Sequence, residues 1–280
     1  MLHTAAGYGN HWTDLAGSHV DEVRGTVILG AVRHPAQGAG MRDGSDGILL
    51  VLLGGFECLY RGNSMSLPLG SQRLLALLAL QTSGVHRAAA GERLWPDSTP
   101  VRAAANLRSA LWRGKRLGGT TMICSAGPRL CLAPWVGVDF QQILEQYSRL
   151  MHPQPLPGIS DHLALVRALT RQLLPEWSED WLLFERERWH QFRLHALENL
   201  AAQLQAEERY LDALQTALAA IAIEPIRETA HRIVIGIHLA EGNTASALKH
   251  YQHYRGLLQR ELGVVPSVRM DQLVHPLITP

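Results

Sequence analysis

Cysteine is scarce: Cys58, Cys124 and Cys131 are the only three in 280 residues. An odd count without repeated spacing argues against a disulfide framework or a thiolate zinc site and fits a reducing cytoplasm. Long apolar runs are missing too. None reaches the roughly 18 residues that span a bilayer, and the first 30 residues lack the basic start and apolar stretch of an export signal. A cytoplasmic, unexported chain without membrane association is therefore expected. Also absent are a phosphate-binding GxxxxGK[ST], a dinucleotide GxGxxG, a GxSxG elbow and an HExxH pair. No catalytic residue, no metal and no cofactor is expected. The histidines do not change this: His190 and His195 are five apart, and His250 and His253 lie in a surface-like run from Lys249 to Tyr254. Neither pair completes a ligand set, so solvated or locally hydrogen-bonded imidazoles are the expectation.

What is present suffices for two globular domains, since 46% of the residues are hydrophobic and the chain exceeds one typical domain length. The formal net charge of +1 is a cancellation between unlike parts. Residues 48–136 carry ten Lys or Arg against Glu57, Glu92 and Asp97, a net +7; residues 137–280 carry 13 against 17, and residues 1–47 carry three against five. A positive surplus confined to one module is the footprint of polyanion binding, because each cation placed at a phosphate releases condensed counterions.

Residues 1–47 are rich in Gly, Ala and scattered charge and are read as a disordered extension. Order is expected to begin at the apolar run Ile48 to Leu53, with a second short strand over Phe56 to Tyr60 before the turn Arg61-Gly62-Asn63. From Ser71, a plausible N-cap, the run Gln72-Arg73-Leu74-Leu75-Ala76-Leu77-Leu78-Ala79-Leu80 predicts a buried helix stopping at Gly84. A second helix, His86 to Leu94, must end at Trp95-Pro96. A third has Thr99 as N-cap and Pro100 at its first position, and is predicted over 100–117 before Gly118-Gly119. Thr121 to Cys124 and Leu130 to Ala133 then read as a hairpin with Arg129 at its tip. Strands, three helices and a hairpin make a winged helix-turn-helix, in which the third helix enters the major groove.

On that third helix Ala103, Ala104, Leu107 and Leu111 fall on one side, and Arg102, Asn106, Ser109 and Arg113 on the other. Arg and Asn carry the planar donor and acceptor groups that match guanine and adenine edges. Arg108 flanks this face, with Lys115 and Arg116 beyond it. Gln72, Arg73 and Arg129 are expected at the phosphate backbone. Trp95 and Trp112 are expected in packing rather than in base stacking.

Beyond Val138-Asp139 amphipathic helix dominates, predicted over 139–151, 159–174 and 181–206, with Pro153, Pro155 and Pro157 in the first loop. Shifting residues 205–214 by 34 positions superposes Ala206-Glu207 on Ala240-Glu241 and Ala213-Leu214 on Ala247-Leu248. That shift is the tetratricopeptide period. The expected fold class is thus mainly α: an OmpR-type winged helix over 48–136 followed by an all-α, tetratricopeptide-like repeat domain over 137–275.

The chain resembles the actinomycete antibiotic regulatory proteins (SARP), activators that join an OmpR-type winged helix to a bacterial transcriptional activation domain. The likeness spans about residues 48–270. It rests on Leu53-Gly54-Gly55-Phe56, the run Ser71 to Ala79, Arg93-Leu94-Trp95-Pro96 and Ala104 to Arg113 in the first half. In the second it rests on Val138-Asp139, Leu174-Pro175-Glu176-Trp177, Glu185-Arg186-Glu187-Arg188, Leu239 to Asn243 and Glu261 to Ser267. The resemblance implies double-stranded DNA as partner, at direct repeats in promoters of secondary-metabolite clusters. It further implies a homodimer on DNA and recruitment of RNA polymerase holoenzyme. DNA-reading positions carry over to Thr99, Arg102, Asn106 and Arg108, with phosphate contacts from Gln72 and Arg73. Larger relatives append an ATPase domain and more repeats, so the short form is expected here. Gly114 departs from the pattern, where relatives have leucine; glycine there predicts a frayed last turn of the third helix, with Arg113, Lys115 and Arg116 loosened. The long N-terminal segment also lies outside the pattern. The competing expectation, a protein-interaction adaptor whose winged helix only stabilises the chain, is opposed by the charge split.

Overall fold

The computed structural model describes residues 47–151 and 159–278. The expectations for residues 1–46 and for Pro153, Pro155 and Pro157 lie outside the described residues.

Strand β1 (Ile48–Val51) alternates buried and half-buried side chains and pairs antiparallel with β2 (Glu57–Tyr60), which continues through Arg61-Gly62 into β3 (Asn63–Ser64). Both turn residues have positive φ, 51° and 77°, as a tight two-residue hairpin requires. Helix α1 (Leu69–Leu80) follows, with Leu74 through Leu80 all buried. Strand β4 (Val85–His86) leads into α2 (Arg87–Leu94), where the His86 Nδ1 accepts from the Ala88 N–H and caps the helix. Helix α3 (Pro100–Gly114) starts as expected, with Thr99 Oγ1 accepting from the Arg102 N–H and Pro100 in the first turn.

Two local expectations are corrected here. Ser71 is not the cap of α1: the helix begins two residues earlier, after Pro68, and the buried Ser71 hydroxyl donates instead to the Ala110 carbonyl of α3. Helix α3 does not reach residue 117. Arg116–Leu117 (β5) turns at Gly118-Gly119 to pair with Thr120–Thr121 (β6), because two successive glycines with positive φ favour a hairpin over another helical turn. The wing follows as β7 (Ile123–Ala126) and β8 (Arg129–Leu132), with β8 between β4 and β7. Strand β9 (Val136–Val138) then runs parallel to β1, closing a sheet of order β3-β2-β1-β9.

Gly114 is explained by packing. It is buried, and a Cβ placed on it would sit 2.9 Å from Ser71 Cβ, so α1 and α3 approach here as closely as glycine permits. Gly114→Leu is expected to destabilise the fold by about 1–3 kcal/mol through overpacking, despite the better helix propensity of leucine. A urea denaturation midpoint no lower than that of the parent chain would refute this.

The rest is helical: α4 (Asp139–Met151), α5 (Ile159–Leu169), one 3-10 turn (Asp180–Leu182), α6 (Leu183–Ala206), α7 (Tyr210–Ile223), α8 (Glu228–Ala240), α9 (Thr244–Glu261) and α10 (Val268–Ile278). The 34-residue shift reappears in the turns. Glu207-Glu208 between α6 and α7 and Glu241-Gly242 between α8 and α9 are followed by equivalent hydrogen bonds. The Arg209 N–H donates to the Leu204 carbonyl and the Asn243 N–H to that of His238. Glu208 and Gly242 both have positive φ, 59° and 76°. Ala213 and Ala247 are both fully buried, which lets each helix pair close tightly.

Helix α5 ends at Leu169 rather than 174. Residues 170–174 leave the helix to bury Leu173 and Leu174 against the end of β1, where the Gly54 N–H donates to the Gln172 carbonyl and the Leu174 N–H to that of Leu52. His250 is not part of a surface run either. Its Nε2 lies 3.0 Å from Nδ1 of the buried His231, whose other nitrogen donates to the Pro225 carbonyl, and burial pushes the His250 imidazole down to about 4. The cause is tertiary: α8 and α9 close on each other at this point.

Contacts knit the strands and the helices into one unit. Asp139, first residue of α4, accepts from the Leu52 and Leu53 N–H groups at 2.9 and 3.0 Å. Phe56 stacks on Trp177 at 5.7 Å between ring centroids, Arg73 pairs with Glu179, and Gln81 donates to Glu185.

Candidate nucleic-acid interface

Helix α3 buries Ala103, Leu107, Ala110 and Gly114, a single stripe at spacings of four, three and four. The stripe is turned slightly from the expected one: Ala104 is exposed and Leu111 half-buried, because Ala110 and Gly114 supply the small surfaces that α1 packs against. Opposite lies an exposed face of Arg102, Arg108, Ser109, Trp112 and Arg113, with half-buried Asn106 at its edge. Trp112 is 84% exposed at the middle of this face, which corrects its expected packing role. Trp95 does pack, with its ring 3.5 Å from where a Cβ on Gly70 would lie.

Each flank of the exposed face is a cleft. On the side of α1, Asn106, Ser109 and Arg113 share a cleft of about 210 Å³ with Pro68, Gly70 and Trp95. On the side of the wing, Arg108, Lys115, Leu111 and Trp112 share one of about 250 Å³ with Arg87, Ile123 and Ser125. Three cations and no acid line this second cleft. The Arg87 guanidinium is steadied there by donating to Ser125 Oγ at 3.0 Å. A row of cations beside a face that bears Arg and Asn is suited to hold phosphates at its border while planar side chains meet base edges.

The expected residues divide accordingly. Thr99 caps the start of α3, while Arg102, Asn106 and Arg113 share one flank and Arg108 stands on the other. The remaining three point elsewhere. Gln72 donates to the Leu67 carbonyl, and Arg73 faces Glu179. Arg129 opens β8 instead of forming the wing tip, which is Gly127-Pro128, and its guanidinium turns back to the Ser83 and Gly84 carbonyls. Sequence reasoning misses Arg87. The one signal it offers is its place as first residue of α2, and only the fold shows that α2 starts beside the wing.

Strands, three helices and a wing, with a basic exposed third helix and a stack of helical hairpins behind, define the class: a winged-helix protein with an attached all-α domain. Residues 163–277 match the family model described as bacterial transcriptional activator domain. Among solved structures the chain is similar to Mycobacterium tuberculosis EmbR in complex with a low affinity phosphopeptide, with a TM-score of 0.67 at 17% identity. That match covers 82% of this chain and 65% of the EmbR chain, so the present chain spans less than two thirds of the length of that structure. No curated protein matches the chain. The helical half of the chain thus matches an activator domain, and the chain shares its fold with EmbR. No helix among the described residues is long and apolar enough to cross a membrane.

Proposed function

We propose that this protein is a sequence-specific DNA-binding activator whose α3 reads the major groove. The observation that supports it is the exposed face of α3, with Arg102, Asn106 and Arg113 on one flank and the cations Arg87, Arg108 and Lys115 along the other. In this reading Thr99 orients the first turn of α3, Arg102 and Asn106 contact base edges, and Arg87, Arg108 and Lys115 hold phosphates on the wing side. Gln72, Arg73 and Arg129, whose side chains already have protein partners, brace the module; a phosphate contact from Arg73 would require leaving Glu179. The targets are direct repeats in promoters of a secondary-metabolite cluster, bound by a pair of protomers in the cytoplasm, with the helical domain recruiting RNA polymerase.

Footprinting across neighbouring promoters, followed by mobility shifts on the protected site and on random DNA, tests this. Arg102→Ala and Asn106→Ala are expected to relax sequence preference by about 1–3 kcal/mol per lost base contact. Arg108→Ala and Lys115→Ala should weaken binding to all sequences alike and each reduce the salt slope by about one. Equal losses on specific and random DNA for all four variants would sink the assigned roles. Absence of any DNA binding at low salt would favour a protein-interaction adaptor.

A further inference from the structure

Two of the three cysteines, unrelated in sequence spacing, are brought face to face by the wing. Cys124 of β7 and Cys131 of β8 are direct register partners. Directly opposed residues of an antiparallel pair have Cα atoms about 4.5–5.5 Å apart and side chains on one face, within the span that a disulfide bridges. The Cys131 thiol already points across the gap, with its Sγ 3.8 Å from the Cys124 carbonyl oxygen. Both are half-buried, open to a small oxidant. Cys58 provides the contrast: it is 1% exposed on β2, and burial pushes its thiol up to about 11, which keeps it protonated and unreactive.

We propose that Cys124 and Cys131 form a redox-responsive dithiol that closes reversibly to a disulfide across the wing. With a peroxide as oxidant, one thiolate attacks an oxygen of hydrogen peroxide to give a sulfenic acid and, after protonation, one water. The second thiolate then attacks the sulfenic sulfur, the S–S bond forms, and the oxygen leaves as a second water. Two thiols are oxidised and one peroxide is reduced. A small-molecule dithiol reductant returns both thiols by exchange. Because strand residues alternate in direction, the bond lies on the face of β7 opposite Ile123 and Ser125, which line the cationic cleft. It leaves that cleft open while tying the two strands that flank the Gly127-Pro128 turn.

The test uses the full chain, reduced, freed of reductant and exposed to increasing hydrogen peroxide before alkylation with N-ethylmaleimide. The expected result is an intact mass lighter by two hydrogens, a single linked peptide pair containing Cys124 and Cys131, and recovery of both alkylation sites after dithiothreitol. Cys58 is expected to take up label only on denaturation. Cys131→Ser should lose the linked pair while keeping the parent circular dichroism spectrum, and its Cys124 should be trapped by dimedone as the sulfenic acid. Conversion of the wild-type pair straight to sulfinic acid, linkage between two chains, or no linked pair when added free glutathione in the same tube is fully oxidised would each overturn the proposal. Linkage is read by mass, so loss of DNA binding in both redox states would count against the proposed function and not against this site.

Discussion

Arg227→Ala is expected to lower the unfolding free energy by about 3–5 kcal/mol, the range for removing one partner of a buried ion pair. Arg227 precedes α8, and its guanidinium meets the Glu198 carboxylate of α6 through both ends, Nε to Oε1 at 2.6 Å and Nη2 to Oε2 at 3.0 Å. The Glu198 side chain is only 5% exposed, so without the guanidinium its charge stands in low dielectric with no close cation. The hydrogen bond to Glu198 holds the Arg227 guanidinium above its ordinary value, as a well-formed pair should. His195 approaches the same carboxylate at 3.8 Å but is largely exposed and replaces neither end of the fork. Arg227→Met with Glu198→Leu should recover most of the loss, because it removes the buried charge together with its partner. Guanidinium denaturation of the single and double variants decides this; equal destabilisation by both would show that packing, not the charge pair, carries the effect.

Asp139→Ala is expected to cost about 3 kcal/mol, since an orphaned buried donor costs roughly 1–3 kcal/mol and three backbone N–H groups lose their acceptor. Leu52 and Leu53 donate to the two carboxylate oxygens, and Phe140 donates to Oδ1 at 2.6 Å. The side chains of Leu52, Leu53 and Phe140 are all buried, so water replaces the lost acceptor poorly. Asp139→Asn should also be harmful, because its amide nitrogen would face one of these donors. Since Asp139 joins the end of β1 to the start of α4, hydrogen exchange should accelerate at the Leu52 and Leu53 amides before it does within α8 and α9. Uniform acceleration across the chain would show that the joint does not open separately.

Features governed by neighbours in the chain are legible in the residues themselves. The Thr99-Pro100 start of α3 depends on one side chain and one missing N–H, and the end of α2 at Trp95 depends on Pro96; both are local effects. The 34-residue shift is visible because two helix pairs solve the same packing problem with the same small residues, Ala213 and Ala247. Ser71 misleads for the complementary reason. Its hydroxyl suits a cap, but it is buried against another helix and donates to the Ala110 carbonyl there, and α1 starts earlier. Trp112 misleads because an aromatic residue beside apolar positions resembles core, whereas its true neighbours depend on how far the buried stripe of α3 is rotated.

The division is clearest for cysteine. Taken from the sequence alone, a small odd number of cysteines argues against a framework of disulfides, and the three thiols of the described residues are free. Composition, periodicity and charge likewise determine the order of elements and locate the basic module, since each depends on residue type and short-range spacing. Tertiary structure decides which cations share a cleft, why Gly114 is glycine, that Arg73 turns to Glu179, and that Cys124 meets Cys131. The first three depend on the distance between segments far apart in the chain, set by close packing such as that of α1 on α3. The last depends on the register of the wing hairpin, which sets two residues seven apart opposite each other.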